Sequence, residues 1–148
     1  MHSIAQQNPA LGFGRTDTTA APASRWSTWG GRVLTALPVL FLLMDGVMKL
    51  MNPAPVVESM QRLGYDPALA VGLGVLQLLC LAAYVVPRTS VIGAILLTGY
   101  LGGAVATHAR VGDPAFSHTL FPVYVGILLW AGLYLREPRL RALVPLRG

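Results

Sequence analysis

Thiols, acids and charge of any kind are scarce in this chain. Of its 148 residues one is a cysteine (Cys80), six are Asp or Glu, and 11% are charged. A single cysteine excludes an intrachain disulfide, a CxxC thiol–disulfide centre and a cysteine-rich metal site. Soluble domains carry about 25% charged residues; a chain with so few lacks the polar side chains to cover a water-facing surface. The sequence also lacks a glycine-rich phosphate loop, paired catalytic carboxylates and a Ser–His–Asp order, so no hydrolytic or phosphoryl-transfer motif stands out. No basic helix, finger or aromatic-studded strand suits nucleic acid.

What is abundant is hydrocarbon. Hydrophobic residues make up 54% and the mean hydropathy is +0.59. Four stretches are apolar all round and long enough to cross a bilayer core of about 30 Å: Val33–Met51, Ala68–Val86, Ser90–Thr107 and Thr119–Leu135. None shows the polar stripe of a soluble bundle helix. The expected fold is therefore all-α, a polytopic membrane four-helix bundle. Residues 1–31 are expected as a disordered lead-in without a cleaved signal peptide. Residues 32–136 are expected as the membrane domain and 137–148 as a basic tail. Eight of the eleven Lys and Arg residues fall on one side: Arg15, Arg25, Arg32, Arg88, Arg136, Arg139, Arg141 and Arg147. Lys49, Arg62 and Arg110 fall on the other. This bias predicts that both termini are cytoplasmic, and it assigns the net charge of +5 to flanks facing anionic lipid.

Polar residues inside the spans are the functional candidates, because each is costly there. Asp45 and Lys49 are spaced i,i+4 in the first span and can pair. Asp45 carries the larger cost, about 2.5–3.5 kcal/mol if central. It is either half of a structural ion pair or a group that takes protons or contacts a ligand. With span one running outward, Asp45 and Lys49 lie about 18 and 24 Å from its inner end. Topology then predicts one outer cluster of Asp45, Lys49, His108, Arg110, Asp113 and His118. In span two, Gln77, Cys80 and Tyr84 share a helix face with Gly74, and this face is expected to point into the bundle. Gly99 and Gly103 form GxxxG, a helix-packing signal whose partner is in the chain or in a second copy. Between the first two spans, Pro55–Leu63 is expected as a short interfacial helix, a lid or a plain connector, with Glu58 and Arg62 paired at i,i+4. Two histidines and an aspartate do not make a metal site by themselves, and no metal is expected.

Three stretches carry a resemblance. "DGVMKLMNPAPVVESMQRLGY", "VGLGVLQLLCLAAYVVPRTSVIGAILLTGYLGGAVATHARVGDP" and "LFPVYVGILLWAGLYLREPRLRALVP" together resemble the DoxX-like family, from roughly Arg32 to Pro145. The resemblance implies a small four-helix protein of the bacterial inner (cytoplasmic) membrane. It implies association with membrane redox systems, since the family is named for a subunit of a thiosulfate:quinone oxidoreductase. It supplies no catalytic residue. Three functions are then open. The chain is a non-catalytic or accessory subunit of a quinone-linked system, with quinone as the ligand and membrane redox proteins as partners. It is a small proton-coupled transporter using Asp45. Or it is a structural module without chemistry, alone or as a homo-oligomer.

Overall fold

The computed structural model describes residues 25–143, and the expectations for residues 1–24 and 144–148 lie outside the described residues. Among the described residues there are six α-helices: α1 (Arg25–Met51), α2 (Ala54–Arg62), α3 (Leu69–Val85), α4 (Ser90–Arg110), α5 (Phe121–Arg136) and α6 (Pro138–Leu143). One turn of π-helix, Ala115–Thr119, joins α4 to α5. Among the described residues there is no strand. Helix α1 starts at Arg25 and runs through Pro38, so it reaches into the stretch expected as lead-in.

Trp29–Met51, Ser90–Arg110 and Ala115–Arg136 are long and apolar enough to cross a membrane. Helix α3, with 17 residues, sits at the short end of the spanning range of about 17–25. Leu37, Leu40, Leu79, Ile92, Ile95 and Ile127 are all more than half exposed on the outside of the bundle. A surface this apolar suits lipid and not water.

The four long helices pack as a ring in which α1 touches α3, α3 touches α4, α4 touches α5, and α5 returns to α1. Leu42, Leu81, Tyr84, Leu97, Leu129 and Leu133 fill the middle. Close approach comes from glycine. A methyl on Gly93 would lie 2.2 Å from the Tyr84 amide nitrogen, and one on Gly132 would lie 2.4 Å from Thr35 Oγ1. Gly93 therefore sets the α3–α4 crossing and Gly132 the α1–α5 crossing. Gly99 and Gly103 do not pack within the chain: a methyl on either would meet nothing within 4 Å. Of the two partners left open for the GxxxG motif, the one within the chain is not found among the described residues, because both glycines lie on the face of α4 turned away from α3 and α5.

The bundle has two unlike ends. Arg32, the Pro87–Arg88 turn and Arg136 mark one, here the arginine end. The other carries α2 and the α4–α5 connection.

Two backbone turns shape this second end. Helix α2 stops at Gly64 (φ 76°) and α4 at Gly112 (φ 72°), a region open to glycine at little cost. In each, an i+5 amide reaches back: Tyr65 to the Met60 carbonyl (2.9 Å) and Asp113 to that of His108 (3.0 Å). This double-bonded C-terminal motif folds Tyr65 and Asp113 back over the helices that precede them.

Candidate functional site

The polar side chains gather in two groups. The inner group crosses three helices. Lys49 pairs with Asp45 one turn below it on α1, and its Nζ also donates to Gln77 Oε1 on α3 (3.3 Å). Tyr100 on α4 donates its hydroxyl to the same oxygen (2.8 Å). Gln77 Nε2 donates to the Leu42 carbonyl (2.8 Å), so the fully buried amide is satisfied on both sides. Glycine again makes this reach available. A methyl on Gly74 would lie 2.9 Å from Lys49 Cβ and 3.0 Å from the Gly46 carbonyl. With those positions bare, α3 lies close enough for Lys49 to meet Gln77.

Asp45 is the most open member, with 36% of its side-chain surface exposed against 15% for Lys49. The cause lies in α5. Phe121, its first residue, stacks edge-on against Phe41 (centroids 5.1 Å apart). Asp45 is one turn beyond Phe41 and so lies past the start of α5. Beyond that level the fourth corner passes to the π-turn, which packs on α4 and α5.

The second group ties α2 and its following turn to the end of α4. Asp113 accepts from Arg62 Nη1 through one oxygen and from the His108 Nδ1–H through the other, both at 2.6 Å. Arg110 donates to the Leu63 carbonyl, and its guanidinium lies 5.6 Å from the centre of the Tyr65 ring. The Tyr65 hydroxyl bonds Thr107 Oγ1 (2.8 Å). His118 stands near His108, ring centres 6.1 Å apart, with its Nδ1 2.8 Å from the Ser117 hydroxyl.

The single six-residue cluster expected from topology is thus corrected to two. Among the described residues no hydrogen bond or ion pair links Asp45 and Lys49 to His108, Arg110, Asp113 or His118. The reason is depth. His108 lies eight residues beyond Tyr100, about 12 Å along α4, and Tyr100 is level with Gln77. The expected Glu58–Arg62 pair is also replaced, since Arg62 reaches Asp113 instead. Gln77, Cys80 and Tyr84 are all buried, but they do different things. Gln77 joins Lys49. Cys80 sits in the apolar core. Tyr84 donates to the Leu129 carbonyl (2.8 Å) and lies under the Arg136 guanidinium. Tyr100, Arg62, Tyr65 and Thr107 join these groups without being marked as site residues by the sequence, and only Tyr100 carries a signal there, a phenol within an apolar span.

A model of the DoxX-like family matches residues 33–132. The chain belongs to the DoxX-like family. No curated protein and no solved structure matches it. The matched stretch of this DoxX-like protein contains every member of both polar groups and ends before α6. Among its described residues no three His, Cys, Asp or Glu side chains are placed to hold a metal ion together.

The hydrogen bond from His108, then that from Arg62, holds the Asp113 carboxyl below its ordinary value of 3.8. A depressed folded value means that the released carboxylate protonates first. The stability this latch contributes is therefore full above the ordinary carboxylate range and is lost as pH falls below it. Amide exchange in Ala54–Arg62 is expected to accelerate as pH drops below about 3.8, after correction for the intrinsic rate. Asp113→Asn should show fast exchange at neutral pH and no such acid step; slow exchange in that variant would dismiss the latch.

Proposed function

We propose that this DoxX-like protein is a non-catalytic membrane subunit of a quinone-linked redox system, and that its inner polar group receives the quinone head. The observation that carries the reading is the convergence of two donors, Lys49 Nζ and the Tyr100 hydroxyl, on the single acceptor Gln77 Oε1. This happens next to the partly open Asp45 and inside an otherwise apolar bundle. A quinone carbonyl is an acceptor of the same kind as the Gln77 oxygen. It would compete for the same donors while the ring lies against apolar wall. In this reading the group binds and orients the head. The arginine distribution supports an orientation with both termini in the cytoplasm, and the family resemblance supports the bacterial cytoplasmic membrane.

The test is binding of a short-chain quinone analogue to the detergent-purified protein by calorimetry. Tyr100→Phe removes one donor and keeps the ring, so affinity should fall about tenfold, the worth of one hydrogen bond near 1.4 kcal/mol. Lys49→Met should weaken binding as well. Absence of binding, or the same affinity in all three proteins, would sink the proposal. If Asp45→Asn instead abolishes pH-driven solute flux in liposomes, the protein is a proton-coupled transporter.

A further inference from the structure

A second feature lies on the outside of the bundle, away from both polar groups. Helices α4 and α5 line a groove of about 750 Å³ that is apolar along nearly its whole length. Its floor is low because Gly102 and Gly126 have no side chains: a methyl on Gly102 would meet nothing within 4 Å, and one on Gly126 only Leu101 at 3.7 Å. Trp130 forms one wall and is held in place by its indole N–H, which donates to Thr98 Oγ1 (2.9 Å). The groove runs beside α5 from Pro122 to Leu135, about 20 Å at helical rise. One leaflet of a bilayer is about 15 Å deep, half of the hydrocarbon core.

What closes the groove decides what it holds. At the arginine end its last lining residue is Leu140 of α6, flanked in sequence by Arg139 and Arg141. Neither guanidinium has a carboxylate partner among the described residues. The nearby Glu137 carboxylate is turned to the Arg139 backbone amide (3.4 Å). Arg136 is engaged by the Tyr84 carbonyl and ring. At the opposite end Lys49 and Arg62 each meet a carboxylate. A hydrocarbon slot about 20 Å long thus closes on α6, a helix that carries two cations without carboxylate partners among the described residues. We infer that the groove between α4 and α5 binds an anionic glycerophospholipid, with an acyl chain along Gly102, Gly126 and Trp130 and the headgroup phosphate on Arg139 and Arg141. A quinone tail or a second copy of the chain would use the slot without needing the arginines. The site is independent of the proposed quinone-binding role.

Brominated lipids test this, because bromine on an acyl chain quenches a tryptophan it touches. The protein with Trp26→Phe and Trp29→Phe reports from Trp130 alone. It is reconstituted in phosphatidylcholine vesicles containing a minor fraction of brominated phosphatidylglycerol or brominated phosphatidylcholine. Quenching by the anionic lipid should exceed its mole fraction several-fold, and quenching by the zwitterionic lipid should follow its mole fraction. Arg139→Gln with Arg141→Gln should reduce the anionic lipid to the zwitterionic level. Gly126→Leu, which fills the slot, should remove the excess quenching while the protein still elutes as a folded particle. Equal quenching by both lipids in the parent protein overturns the inference. Weak quenching by both, together with cross-linking of two copies through α4, overturns it in favour of a dimer.

Discussion

Gly93→Ala is expected to be the most damaging single methyl that can be added to this protein. The new Cβ would lie 2.2 Å from the Tyr84 nitrogen, 2.4 Å from its Cα and 2.6 Å from the Ala83 carbonyl carbon. All three are backbone atoms, so no rotamer change relieves the overlap, and α3 and α4 must move apart. They are joined by the short Pro87–Thr89 turn, and Thr89 Oγ1 also donates to the Ala83 carbonyl (2.7 Å). Separation would also disturb Tyr84, which is fully buried and bonded to Leu129 on α5. The loss should reach or exceed the upper part of the range of about 1–3 kcal/mol seen for overpacked cores. It is read as a lower thermal midpoint and a smaller folded fraction by size-exclusion chromatography in mild detergent. Gly99→Ala and Gly103→Ala are the controls. Their methyls meet nothing within 4 Å, and the folded monomer should change by no more than about 0.5 kcal/mol. A Gly93→Ala protein that melts with the parent would refute this account of the crossing.

That contrast shows what a sequence pattern can and cannot give. The spacing of Gly99 and Gly103 stands out as a motif, whereas Gly93 and Gly132 are single glycines in apolar helices. Which glycine touches a neighbour depends on how each helix is rotated about its axis. Helices that are apolar all round carry little information about rotation, because lipid and core accept the same side chains. The fold class was legible for the opposite reason: length and composition are properties of a whole segment. Depth was legible only when counted from the correct end. Gln77 is eight residues in from the start of α3 and Asp45 six residues in from the end of α1, about 12 and 9 Å from the same end of the bundle. Counted that way, Gln77 belongs with Asp45 and Lys49. Asp113 and Arg62 could not be paired from sequence, since their meeting depends on the backbone turn at Gly112 and on where α2 lies.

Replacing the central acceptor should show whether the inner polar group behaves as a unit. Gln77→Leu keeps approximate volume and removes both polar ends of the amide. The Tyr100 hydroxyl then loses its acceptor in a part-buried site, and the Leu42 carbonyl loses the bond it received from outside its own helix. Lys49 is less affected because Asp45 remains. At about 1–3 kcal/mol for each buried polar group left unsatisfied, the expected cost is about 2–4 kcal/mol in a reversible unfolding measurement. Adding Tyr100→Phe removes the stranded hydroxyl, so the double variant should be more stable than the sum of the two single effects predicts. A coupling of about 0.5–3 kcal/mol is typical of residues sharing one network. Asp45→Asn should cost less than Gln77→Leu, since its partly exposed amide still offers an oxygen to Lys49. Strict additivity of Gln77→Leu and Tyr100→Phe would mean that Gln77 anchors α3 to α1 through Leu42 alone. Tyr100 would then drop out of the ligand-binding role. Coupling would instead show that α3 and α4 meet at the Gln77 oxygen, the atom with which a quinone carbonyl has to compete.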